Sequence, residues 1–193
     1  MTLTRPQVEQ LLKPINPTRV LRDGKGMSHV SQHDIRAHLN RCFGFANWST
    51  EITELRCVHD SVKKNKAGNE VPAVTYLCRL RLTVFDPQGK PVAAYEEVGT
   101  GTSPNLPDFG DAHDFAAKNA VSYALKRCAT NLGDQFGLSL YNKGQTDALV
   151  KGTLVMPGAQ SDHDDVQDGV PQQVDLGDEF PDDQPPDDWT AAA

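Results

Sequence analysis

One stretch constrains this chain more than any other: Asp111 to Lys143, DAHDFAAKNAVSYALKRCATNLGDQFGLSLYNK. It predicts a single long helix, a glycine stop and a short apolar segment. Asp111 suits the N-cap, and Asp114 lies in the first turn, where a carboxylate meets the positive end of the helix dipole. Ala117, Val121, Ala124, Leu125, Cys128 and Leu132 recur at helical spacing and form one apolar stripe. Gly133 suits the stop. Small residues in the stripe let such a helix lie close to a sheet. Off the stripe, Lys118, Ser122 and Lys126 fall in one row and Asn119, Tyr123 and Arg127 in the next. Lys126 and Arg127 therefore face away from the core. The ordinary role of such a pair is a solvated face.

Upstream, Thr4 to Gln7 reads as a capping box with Pro6 in the first turn, opening a short helix that presents Val8, Leu11 and Leu12 and ends at Lys13-Pro14. Arg19–Arg22 and Met27–Val30 flank Asp23-Gly-Lys-Gly, a hairpin signal. That places Lys25 at the tip, Arg19 and Arg22 on the first strand and His29 on the second. It is an ordinary surface hairpin or a basic clamp on a phosphate chain. Ser31 caps a second helix from Gln32 to about Phe43, with Ile35, Leu39 and Cys42–Phe43 inward. Three strands follow. The first runs from Trp48 to Asp60, and Lys63, Lys64 and Lys66 sit in a basic loop after it. The second, Val71–Phe85, alternates cleanly: Val74, Tyr76, Cys78, Leu80, Leu82 and Val84 on one face, Thr75, Arg79, Arg81 and Thr83 on the other. After an Asp86–Gly89 turn, Lys90 to Val98 returns. The order predicts an α+β fold, a curved antiparallel sheet with a β-hairpin and with helices over one face.

The net charge of −7 hides two electrostatic objects. From Ser161 onward there are eleven acidic residues and no lysine or arginine; the other fifteen acids face all nineteen basic residues, leaving +4 on residues 1–160. The chain thus divides into a body, 1–152, and an acidic tail, 153–193. The tail is too poor in apolar residues to offset ordering entropy and is expected to be disordered. Its carboxylates should compete with phosphate for the body at low salt. Phe180 and Trp189, set among carboxylates, suit either simple solvation or docking to a protein partner.

Several classes drop out. No apolar run is long enough to span a membrane, and no signal-peptide pattern opens the chain. Cys42, Cys57, Cys78 and Cys128 have no paired metal-ligand spacing and sit in apolar patterns, which suits buried free thiols in an intracellular protein. His33 and His38 lie on mismatched helix faces, so no metal is expected. The phosphate loop G-x-x-x-x-G-K-[ST] occurs nowhere, so ATP hydrolysis through that motif is not expected, and no cofactor is expected either. A nuclease needs convergent carboxylates, and Glu51, Glu54, Glu96 and Glu97 offer no obvious set. The chain does not read as an enzyme.

Five segments carry a family resemblance. Ala120–Arg127 (AVSYALKR), Asn131-Leu-Gly133 and Phe136–Tyr141 (FGLSLY) resemble the signature of the Rad-fifty-two family of single-strand annealing proteins. Phe43-Gly-Phe-Ala-Asn-Trp48 resembles the family's F-G-Y/F-x-x-W segment, with core aromatics. Glu96-Glu-Val-Gly-Thr-Gly101 resembles its E-D-V-G-x-G, whose glycines suggest a bend. The likeness spans roughly Ile15 to Tyr141.

That resemblance implies a homo-oligomeric ring with single-stranded DNA in a groove, held mainly by its phosphates so that bases stay free to pair. It implies annealing of complementary strands without ATP, in homologous recombination and repair. Sequence-blind grip is what phosphate contacts supply. Carried over by position, the implied DNA-binding residues are Arg19, His29 (where the family has a tyrosine), Lys126 and Arg127. Thr130 stands where a further arginine is common. Lys25 on the hairpin, and secondarily Lys63, Lys64, Lys66, Arg79, Arg81 and Lys90, could compensate with positive charge. The family's added recombinase-binding region has no counterpart here, so the chain looks like a short phage or bacterial member acting in the host cytoplasm. The alternative is a single-strand-binding or mediator protein that does not anneal.

Overall fold

The alternating run around Leu80 sets the centre of the molecule, because one of its faces can only be buried. The structure is a computed structural model and describes residues 3–24 and 26–153. Lys25 and the acidic tail with Phe180 and Trp189 lie outside the described residues, so the expectations made for them do too.

Three long antiparallel strands form the main sheet in the order β3-β4-β5: β3 Trp48–Lys64, β4 Glu70–Phe85 and β5 Pro91–Thr102. Val74, Cys78, Leu80, Leu82 and Val84 on β4 are buried, as the alternation requires. Asn65 and Asp86 each fold back to accept backbone N–H groups and close the two turns. β3 is longer than expected. Lys63 and Lys64 are its last residues, opposite Val71 and Glu70, and only Lys66 of that group lies in the turn.

A second, two-stranded sheet pairs β1 (Leu21–Arg22) with β2 (Ser28–His29) antiparallel. Arg19 is not on its first strand. Asn16 accepts the Thr18 N–H and Pro17 opens a 3-10 turn, Pro17–Arg19, that takes Arg19 out of the hairpin. Helix α1 (Arg5–Leu11) carries the expected capping box, and α2 (Gln32–Phe43) is capped by Ser31. Ile35, Leu39 and Phe43 of α2 are buried in the core. Phe45, expected inside, is 90% exposed, whereas the Trp48 indole donates to Asn40.

The long helix α3 runs from Phe109 to Thr130 and lies over β4 and β5. Its cap is Asp108, whose carboxylate accepts the Asp111 N–H at 2.9 Å, so Asp111 belongs to the first turn instead. The buried row is also shifted: Ala112, Ala116, Ala120, Ala124 and Cys128, four residues apart, joined by Leu125 and Ala129, while Ala117 and Val121 are half-buried. This row meets Gly99 and Gly101, which are not at a bend but inside β5. A Cβ on Gly99 would sit 2.7 Å from the Ala120 carbonyl oxygen, and one on Gly101 would sit 2.8 Å from Asn119 Cβ and nearer still to the helix backbone. Glycines on the strand and alanines on the helix let two backbones approach as larger residues would forbid.

Beyond α3, Gly133 at φ +107 reverses the chain into two 3-10 turns, Asp134–Phe136 and Leu138–Tyr141, with Phe136 and Leu140 buried. Gln135 joins the N-terminal segment to this region. Its amide donates to the carbonyls of Lys13 (2.9 Å) and Pro14 (2.6 Å), and its oxygen accepts from Arg19 (3.2 Å). Among the described residues no helix is long and apolar enough to cross a membrane.

Candidate nucleic-acid interface

The last turns of α3 turn their polar side outward because the alanine row holds the opposite side against β4 and β5. Tyr123, Lys126, Arg127 and Thr130 follow the spacing i, i+3, i+4, i+7, which places all four on one helix face. Tyr123 and Arg127 are exposed; Lys126 and Thr130 are half-buried. The Lys126 ammonium lies 4.5 Å from the centre of the Tyr123 ring, a cation–π contact. The Thr130 hydroxyl donates to the Arg127 carbonyl at 2.7 Å, one of the carbonyls that the helix end leaves unpaired. Arg127 stands in the last turn, where a cation complements the helix dipole.

Next to this face, the Ser122 hydroxyl donates to Gln32 at the start of α2. Gln32 follows His29 by three residues, so the second hairpin strand lies within about 10 Å of chain reach from that junction. His29 is half-buried, its Nδ1 3.4 Å from the Met27 carbonyl oxygen. Arg19 is placed differently. Its guanidinium grips Asp34 of α2 through Nε at 3.0 Å and Nη2 at 2.7 Å, and the two side chains are only 14% and 20% exposed. A side chain so engaged ties the hairpin entry to α2.

The secondary basic positions do not gather around Lys126 and Arg127. Arg79 and Arg81 project from the outer face of the sheet, but that face is charge-balanced. Arg81 bonds Glu96 at 2.9 Å and lies 3.6 Å from Glu51; Arg56 bonds Glu54 at 2.6 Å; Arg79 lies 3.9 Å from Glu54. The expectation of a basic outer face is corrected, because cross-strand neighbours in this register pair arginine with glutamate. Lys63, Lys64 and Lys66 sit at the β3–β4 turn. The Cys128 thiol, just past Arg127, reaches the Leu80 carbonyl, nine residues along β4 from Val71, the partner of Lys63. That separation is roughly 30 Å. Lys90 lies in the β4–β5 turn, at the other end of the sheet.

Strand β3 has no buried residue, and α3 meets it only lightly, as where His113 Nε2 lies 3.6 Å from an Asp60 carboxylate oxygen. In register with the buried Leu80 and Cys78 and the half-buried Tyr76 stand Ile52, Leu55 and Cys57, with Val62 opposite Pro72. Yet Ile52 is 49% and Val62 52% exposed, because α3 packs over β4 and β5 and covers little of β3. Cys57 is exposed, unlike the buried Cys78 and Cys128, so the expectation that every thiol is buried fails at this edge. Burial pushes the Cys128 thiol up to about 11. Among the described residues the one strongly shifted histidine is His38, held down to about 4 by burial and then by the charges of Arg19 and Arg41. Its ring meets Phe136 edge-on at 5.0 Å, and Arg41 Nε donates to its Nδ1. It is a core residue. Among the described residues no cluster of three or more His, Cys, Asp or Glu side chains could hold a metal.

Comparison with known proteins gives the chain's relatives. The chain is 28% identical over 112 residues to the DNA repair and recombination protein rti1 of Schizosaccharomyces pombe, covering 58% of this chain and 28% of that protein. It is 26% identical over 120 residues to the DNA repair and recombination protein rad22 of the same yeast, covering 62% of this chain and 24% of that protein. The matched part thus spans about a quarter of each relative's length. Residues 5–153 match the family described as Rad52/22 family double-strand break repair protein, farther at both ends than the motifs alone indicate. The chain belongs to the Rad52/22 family of double-strand break repair proteins.

Proposed function

We propose that this protein binds single-stranded DNA and anneals complementary strands without ATP, as an oligomer, in recombination and repair. One observation carries the reading: Lys126 and Arg127 stand side by side on the outward face of α3, in a segment that resembles the family's signature and lies inside the family match. Two adjacent cations on a rigid helix grip phosphates without reading bases, and that is what annealing needs. His29, on the hairpin strand near the α2–α3 junction, belongs to the same proposed groove. The reading assigns no catalytic residue and no cofactor. Self-assembly has its own support in β3, whose apolar inner row and free edge are left for a neighbouring copy of the chain. Since β3 and β5 are the two edges of one sheet, a head-to-tail contact would generate a ring if the rotation closes.

The test mixes complementary strands with protein, without nucleotide, and follows duplex formation. Acceleration over spontaneous pairing is expected, with Lys126→Ala and Arg127→Ala both weakening it. Each lost phosphate contact should reduce the log–log salt slope by about 0.7. Tight binding with no acceleration would favour a single-strand-binding or mediator protein instead. Variants that bind and anneal like the parent would remove the proposed groove altogether.

A further inference from the structure

The proposed groove holds one side chain that phosphate contacts do not explain. Tyr123 is 48% exposed on the final turns of a helix whose buried side is filled with alanine. It is not core, and its hydroxyl bonds no other described residue. Tyrosine is also a poorer helix former than alanine or leucine, so local stability gives no reason for it here. Its neighbours one turn on are Lys126 and Arg127, and Lys126 lies against its ring. An exposed aromatic flanked by two cations at i+3 and i+4 combines the two elements of single-strand recognition, a stacking surface and a phosphate grip.

We infer that Tyr123 stacks on a nucleobase of the bound strand. With the ammonium over one face of the ring, the other face receives the base while Lys126 and Arg127 hold the phosphates beside it. Stacking uses the flat face of the base and leaves its pairing edge free, so it is compatible with annealing. It is also sequence-tolerant, since every base has a π-face. The cation–π contact has a further consequence: it orders the lysine beside the stacking position before DNA arrives, which lowers the cost of immobilising it.

This inference rests on the reading of α3 as the single-strand-binding face, and the experiment separates the two. Binding of oligo-dT is compared with binding of an abasic strand of the same length, which keeps every phosphate and lacks every base. Tyr123→Ala should weaken oligo-dT binding at least about fivefold, the equivalent of about 1 kcal/mol, and change abasic-strand binding less than about twofold. Tyr123→Phe should bind like the parent, and the salt slope should not change in either variant. Equal losses on both strands would show that Tyr123 acts only through Lys126 and would overturn the inference. So would no loss on either strand, or a change in assembly size on Tyr123→Ala. If Lys126→Ala weakens binding while Tyr123→Ala does not, only the stacking role fails. If the parent binds neither strand, the reading beneath it fails as well.

Discussion

Replacing Gly99 by alanine tests the seam on which the whole interface is mounted. The added Cβ would lie 2.7 Å from the Ala120 carbonyl oxygen and 3.0 Å from Ala124 Cα. Relaxed contacts of these kinds fall near about 3.3 Å and about 3.5 Å, so α3 must retreat by about 0.5 Å or more. A gap of that size forfeits at least a quarter of the dispersion well at each contact. Across on the order of forty atom contacts of about 0.15 kcal/mol each, the loss is about 2 kcal/mol. That agrees with the usual cost of overpacking, about 1–3 kcal/mol. The lower entropy of alanine in the unfolded chain returns about 0.5 kcal/mol. The net loss of about 1.5 kcal/mol means that urea unfolding, followed by circular dichroism at one fixed protein concentration, should show the midpoint falling by about 0.75 M for a slope near 2 kcal/mol/M. Gly152→Ala, with nothing within 4 Å of its added Cβ, is the control and should not move. A Gly99→Ala midpoint equal to that of the control would refute the close-approach argument.

Three other outcomes follow from the same geometry. His38 has its folded pKa at about 4 against 6.5 for the free side chain, so the unfolded state holds the extra proton between those values. Stability should therefore fall as pH drops through that window, by about 2 kcal/mol between pH 7 and pH 5, and His38→Gln should flatten the difference in urea midpoints. Arg19→Ala should cost about 2 kcal/mol of stability by leaving Asp34 with only its longer 3.6 Å contact to Arg41, whereas Lys126→Ala should leave the midpoint nearly unchanged; equal midpoints would show that the Arg19–Asp34 pair holds nothing. Thr130→Arg should tighten single-strand binding at moderate salt, because Thr130 shares the face of Lys126 and Arg127; unchanged binding would place position 130 off the strand's path.

Much of this architecture is written in local patterns. The order of helices, hairpin and strands follows from turn residues and from two periodicities, and the β4 alternation by itself divides core from surface. The capping residues Thr4 and Ser31 are equally local, because a cap bonds within its own first turn. Lys126 and Arg127 were legible as an outward pair for the same reason. Helical spacing near the end of α3 is enough to turn them from the core.

What only the tertiary structure decided depends on which elements face each other. The buried side of α3 follows the alanine row and not the larger Val121, because Gly99 and Gly101 set where the helix can approach. No periodicity within α3 carries information about a neighbouring strand. Arg19 reads as one more cation on a basic hairpin until α2 brings Asp34 to it across fifteen residues. Arg79 and Arg81 read as a basic face until the register sets Glu51, Glu54 and Glu96 beside them. Strand β3 reads as one more strand of the sheet until α3 proves to lie over β4 and β5 and to leave most of it exposed. Charge and burial are properties of pairs of surfaces, and a sequence specifies each surface before it shows what that surface meets.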